Sequence, residues 1–133
     1  MSELNKHEKY QALAINTMTP GELIVLLFEE GILCIHRSVF YIRNKNVADA
    51  HKNIIKAQNI VLYLIDILDI NYPLSDKLLK LYDFIYMQLI KANAEKDEQL
   101  LNDIAGFFKQ LKETWQQAEI SNRENSILRS TGS

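Results

Sequence analysis

The stretch from Ile60 to Ile70 reads IVLYLIDILDI, and only Asp66 and Asp69 interrupt its apolar residues. A helix that lays one face on a core needs an apolar stripe a little over ~100° wide, and its other positions are normally polar. Read as a helix, this segment is apolar nearly all the way round. A small domain has too little interior to hide that much surface. The surplus suggests a docking groove, and the ligand that suits such a groove is another amphipathic helix. The pattern is that of a chain built to hold a partner rather than to do chemistry.

The rest of the sequence supplies the helices against which this one packs. The β-branched alternation expected of strands is missing, and both prolines, Pro20 and Pro73, fall at predicted helix boundaries. Thr19-Pro20-Gly21-Glu22 is a strong helix start: the Thr19 hydroxyl can accept the Glu22 N–H, the Glu22 carboxylate can reach back, and Pro20 sits where its missing N–H costs nothing. The first helix is predicted to run to about Arg43 and to be closed by Asn44-Lys45-Asn46. Asn46 caps a second, in which Val47, Ala50, Ile54, Ala57, Val61, Leu64 and Leu68 form a seam at alternating spacings of three and four. Asn71-Tyr72-Pro73 breaks it. Ser75 is expected to cap a third helix with Leu78, Leu81, Tyr82, Ile85, Leu89 and Ala92 on one face. After the break at Glu95-Lys96, Asp97 caps a fourth, with Leu101, Ile104, Phe108, Leu111, Trp115 and Ala118 in heptad order.

Short connections between long helices make sequential neighbours antiparallel. The expected fold is therefore all-α: an antiparallel up-down four-helix bundle over residues 19–119. Residues 1–18 form a short N-terminal arm that starts polar and ends in an apolar patch. Residues 120–133, ISNRENSILRSTGS, are poor in core formers and are expected to be a flexible tail.

Composition narrows the function classes. With 133 residues and 47% hydrophobic content, the chain can build one real core but not two. Its net charge is −2, and Lys and Arg alternate with acids, so no basic stripe offers the phosphate neutralisation that nucleic-acid binding requires. No apolar run approaches the roughly 18 residues of a membrane span, and MSELNKHEKY lacks the apolar core of a signal peptide. Cys34 is alone, so no intramolecular disulfide is possible, which fits a reducing cytosol. We expect a cytoplasmic protein with neither nucleic-acid partner nor membrane insertion.

A bundle of this size could house a di-metal carboxylate site, which needs a Glu three residues before a His on one helical face. The residues three before His7, His36 and His51 are Leu4, Leu33 and Ala48, so the motif is absent. Cys34 and His36 lie on opposite sides of a helix. A Cys34–His51 nucleophile could assemble only in space, and the simpler reading is a buried cysteine and a solvated histidine. No phosphate-binding loop, nucleophile elbow or zinc spacing occurs. No enzyme, cofactor or metal is expected.

What remains is apolar surplus. In the first helix Ile24, Leu27, Phe28, Ile35, Val39 and Ile42 make one stripe, and Leu23, Leu26, Leu33 and Phe40 broaden it to a second. Ile55 and Leu62 lie off the seam of the second helix, and Leu79, Tyr86 and Ile90 off that of the third. A homodimer interface is the plainer use of such surface; a groove for a helical ligand is the sharper one. Each fully buried Leu or Phe stabilises by ~1.5–3 kcal/mol, so a few anchors could hold a peptide despite its ordering cost.

Several short stretches, in order and spacing, are familiar: Tyr10-Gln11 in the arm, Thr19-Pro20-Gly21-Glu22-Leu23 with Leu27-Phe28 following, Lys56-Ala57-Gln58-Asn59-Ile60, then Leu81-Tyr82-Asp83-Phe84-Ile85-Tyr86 with Leu89 and Ala92-Asn93, and finally Trp115. From about Tyr10 to Ala118 the chain resembles the FliS family, cytosolic export chaperones of bacterial flagellin. It departs from the usual pattern by carrying Glu30 where the family has glycine, with Gly31 one place later. The resemblance implies a non-catalytic bundle that binds the disordered C-terminal segment of flagellin as helices in apolar grooves. It also implies that such a protein blocks premature polymerisation and delivers the subunit to a component of the flagellar type III export gate, with other flagellar regulators as further partners. Carried onto this chain, the groove residues are Ile55, Leu62, Ile65, Leu79, Tyr82 and Tyr86. Tyr10, Leu13 and Ile15 are an N-terminal gate over the groove. The rival expectation is a self-associating structural bundle, a homodimer through the same apolar surface.

Overall fold

Thr19 opens the first helix as its sequence dictates. Its backbone is extended, and its Oγ1 accepts the Glu22 N–H at 3.1 Å, which satisfies one of the free donors of the first turn. The structure, a computed structural model, describes residues 18–131. Among these are four helices: α1 Pro20–Arg43, α2 Val47–Asp66, α3 Ser75–Glu95 and α4 Glu98–Thr131. Two more polar caps act as expected. Asn46 Oδ1 accepts the Asp49 N–H at 3.2 Å and Asp97 Oδ1 the Leu100 N–H at 3.1 Å. Between α1 and α2 the chain reverses through Lys45, which adopts a left-handed backbone at φ 59°; Lys96 does the same after α3 at φ 51°.

α1 packs on α2 and α4, and α3 packs on the same two, so the helices form a ring around one core. The ring closes between first and last. Thr19 Oγ1 donates to Glu119 Oε2 at 3.4 Å near one end of α1, and Arg43 Nε pairs with Glu98 Oε2 at 3.2 Å at the other. α1 and α4 therefore run antiparallel, which completes the up-down bundle read from the sequence. Fully buried Phe28, Ile35, Ile54, Val61, Leu64, Ile85, Leu89, Leu101, Ile104 and Phe108 fill the middle. The Phe28 ring bridges the core, its centroid 5.8 Å from Phe108 and 6.4 Å from Tyr82, and tilted pairs of this kind contribute ~0.5–1.5 kcal/mol beyond burial. Gly31 is buried against the Phe108 ring, and Glu30 is exposed.

Four expectations need correction. The apolar run Ile60–Ile70 is not one helix: α2 ends at Asp66, and Ile67 closes it with its N–H on Tyr63 O at 3.0 Å. Asp69 is the reason. Its Oδ1 accepts the Asn71 N–H at 2.9 Å, a local turn that competes with helix. Leu68 thus lies beyond the helix, and Val47 at the other end of the seam is exposed, so the seam is shorter than predicted. Ser75 is not a cap. It is the first residue of α3, and its buried hydroxyl donates to Ile70 O at 3.0 Å, tying the α2–α3 connection down. Finally, α4 does not stop near Ala118 but continues to Thr131. Residues 107–131 contain neither Gly nor Pro, and without a breaker helix propagates cheaply. The boundary placed at residue 119 is therefore not a helix end.

Candidate partner-binding grooves

Asn93 on α3 and His51 on α2 meet across the helix pair, Nδ2 to Nδ1 at 2.9 Å. This contact fixes which side of each helix faces the other. Moving along α2 from His51 in steps of three and four reaches Ile55, Gln58, Leu62 and Ile65; moving back along α3 from Asn93 reaches Ile90, Tyr86, Asp83 and Leu79. These residues flank the α2–α3 seam on its outer side. Leu62 is 45% exposed, Ile90 40% and Leu79 38%, while Ile55, Ile65 and Tyr86 are half-buried. Ile65 and Tyr86 also pack against the core from the side. The two helices thus share a face with exposed aliphatic side chains, on which Ile55, Leu62, Ile65, Leu79 and Tyr86 all stand.

Tyr82 is the exception. Only 1% exposed, it is a core residue, because its place on α3 is one turn before Ile85 on the inward face, shared with Leu89 and Ala92. Its ring is nonetheless one wall of a cavity at the end of the bundle, about 320 Å³ in volume and lined by Pro20, Gly21, Ile24, Leu64, Ile67, Leu68, Asp69, Tyr72, Trp115 and Glu119. Burial pushes the Tyr82 phenol up to about 12, against the opposing effect of its hydrogen bond to Trp115. Tyr72 stacks on Trp115, centroids 5.9 Å apart and planes 26° apart, and so roofs one side. Sequence reasoning did not find this cavity. Its signal was Leu68, left without a helix to continue the seam, and the aromatic Tyr72 beside the Pro73 break.

Further apolar ground lies between α3 and α4, where Leu74, Leu78, Leu81, Leu111 and Trp115 line a cleft of about 180 Å³. Between α1 and α2, Leu23, Leu27, Ile60 and Tyr63 form a shallow trough. The second stripe of α1 is real at Leu33 and Phe40, both exposed. Tyr10, Leu13 and Ile15 lie outside the described residues.

The groups considered for chemistry stand apart from these grooves. Cys34 is buried, and burial foremost, with Glu30 second, pushes its thiol up; a raised pKa makes a poor nucleophile. His51 is exposed, and its Nδ1 engages the Asn93 side chain. Among the described residues no cluster of His, Cys, Asp or Glu could hold a metal ion, and no helix is long and apolar enough to cross a membrane.

The fold is a four-helix bundle with an end cavity and an exposed aliphatic face on α2 and α3. The particular family follows from comparison: the family model for the flagellar protein FliS matches residues 3–122, and the chain belongs to that family. It is 33% identical over 125 residues to the flagellar secretion chaperone FliS of Bacillus subtilis (strain 168), an alignment covering 94% of each chain.

Proposed function

We propose that this FliS-family bundle is a cytosolic secretion chaperone specific for flagellin. It holds the disordered C-terminal segment of flagellin as amphipathic helix, keeps it from polymerising early, and hands it to a component of the flagellar type III export gate, a route on which other flagellar regulators can compete. One observation carries the reading: in a chain of this family, Leu62, Leu79 and Ile90 stand exposed along the α2–α3 seam. An unpartnered aliphatic row of this kind is what the apolar face of a helix buries on docking. The chemistry needed is binding alone, so no catalytic group is assigned.

The arm has a place in this scheme. Thr19 and Pro20, where the described chain begins its first helix, stand at the rim of the end cavity that Pro20 lines. Tyr10, Leu13 and Ile15, in the segment that leads into Pro20, are the residues with which it would cover the groove until flagellin displaces them.

A second reading rests on Leu33 and Phe40, exposed seven residues apart on α1, the spacing of a helix–helix seam between two copies of the chain. Size-exclusion chromatography of the full chain, alone and mixed with flagellin, decides between them. A one-to-one complex with flagellin supports the chaperone. A dimer that ignores flagellin overturns it.

A further inference from the structure

Gln58 occupies the groove face of α2, one turn from Ile55 and one from Leu62, and it is 7% exposed. Its Oε1 is shielded from solvent and accepts no hydrogen bond. Carbonyl oxygens removed from water are almost always paired, and an unpaired one destabilises the fold that contains it. Packing alone would be served as well by leucine or methionine at this position.

We propose that Gln58 is the register pin of the α2–α3 groove, accepting a hydrogen bond from a neutral hydroxyl or carboxamide side chain set within the apolar stripe of the bound helix. The inference rests on the chaperone reading and adds a chemical requirement to its ligand. In a groove lined by Ile55, Leu62, Ile65 and Leu79, a helix that slides by one turn exchanges one aliphatic anchor for another, so shape sets register weakly. One polar contact among hydrophobes sets it strongly, because every other register leaves both partners unpaired. The ligand group must be a donor, which excludes carboxylates, and a lysine or arginine would be drawn to Asp83 at the exposed edge of the face rather than held against Gln58. The oxygen would reach the bound helix by rotation about χ3, a soft terminal torsion that exchanges the places of the carboxamide oxygen and nitrogen.

Calorimetric titration of the flagellin C-terminal segment into the wild-type chain and Gln58→Met tests this. The segment is also made with each Ser, Thr, Asn and Gln of its apolar stripe replaced in turn by Leu. Gln58→Met is expected to melt at or above the wild-type temperature and to bind the native segment about tenfold more weakly. One replacement in the segment should cause a similar loss on the wild-type chain and no further loss on Gln58→Met. Should methionine prevent folding, Gln58→Asn, which withdraws the carboxamide by one methylene, serves for the same comparison. The pin is overturned if the variant binds within about twofold of wild type, or if every segment replacement costs the same on both proteins. A wild-type chain that does not bind the segment overturns the chaperone reading instead.

Discussion

Phe108 lies so close to the α1 backbone that a Cβ atom on Gly31 would stand 2.8 Å from its Cε2 and 3.1 Å from its Cδ2. The glycine is what lets the α4 ring settle against α1 and reach Phe28.

Gly31→Ala should therefore destabilise the bundle even though it improves helix propensity. The propensity gain is about 1 kcal/mol, while overpacking a filled core costs ~1–3 kcal/mol, and Phe108 is fully buried with little room to retreat. We expect a net loss near ~1 kcal/mol, and a larger one for Gly31→Val, read from urea midpoints. A midpoint for Gly31→Ala above that of wild type would show that the Phe108 ring yields easily.

Leu62→Asp should weaken flagellin binding by well over tenfold, about 1.4 kcal/mol, while the thermal midpoint changes little. Leu62 is 45% exposed, so folding does not depend on hiding it. The same substitution at Val61, which is fully buried one residue away, should unfold the chain. A thermal collapse of Leu62→Asp, with binding per folded molecule intact, would place Leu62 in the core.

Deleting residues 1–17 should raise aggregation and leave unchanged or improve affinity for a short flagellin peptide. If the arm docks on the groove, a ligand that must displace it binds only the uncovered fraction of molecules, and removing the arm removes that penalty. Calorimetry on full-length and truncated chains measures this directly. Loss of peptide binding on truncation would make the arm part of the binding site rather than its gate.

Tyr82 gives the fold an alkaline limit. Below about pH 10 the phenol is neutral in folded and unfolded chains alike, and its contribution is present in full. Between about 10 and about 12 the unfolded chain releases the proton while the folded chain, whose Tyr82 is pushed up to about 12 by burial, retains it. Stability should fall by up to ~1.4 kcal/mol per pH unit, ~2.7 kcal/mol in all once the pH has passed both values. Tyr82→Phe should lose this part of the pH dependence while sacrificing the Trp115 hydrogen bond, at a cost near ~1 kcal/mol. Denaturant midpoints of both proteins at about pH 9 and about pH 12 give the comparison, and parallel declines would exclude Tyr82 as the source.

What was legible in the sequence was local or periodic. Thr19, Asn46 and Asp97 announce helix starts because each needs only a backbone N–H three residues ahead, and the inward seam from Ala50 to Leu64 follows from spacing alone. Where a tertiary partner decides, pattern was silent. Ser75 looks like a cap, but its acceptor is Ile70 O, across the turn behind it. Asp69 sits inside an apolar run that reads as helix, and its side chain ends the run by claiming the Asn71 N–H. The groove shows the same division. Spacing alone sets Ile55, Leu62, Leu79 and Tyr86 off the seam, whereas Tyr82 reads equally as seam and as surplus until Phe28 is seen against it. The end cavity needed the paths of all four helices at once, and the orphaned Gln58 oxygen needed knowledge of what does not touch it.

The ring of helices is sealed by a pair of contacts between its first and last members, Thr19 with Glu119 and Arg43 with Glu98, the former 100 residues apart in the chain. During synthesis α1, α2 and α3 leave the ribosome before the helix that completes them. Phe28, Ile35 and Tyr82 then stay wet until Phe108 and Trp115 have cleared the exit tunnel, and nascent chains in that condition are prone to stick to one another. A protein proposed to shield another polypeptide thus passes through its own unshielded stage first, and the packing of α4 is what ends that exposure.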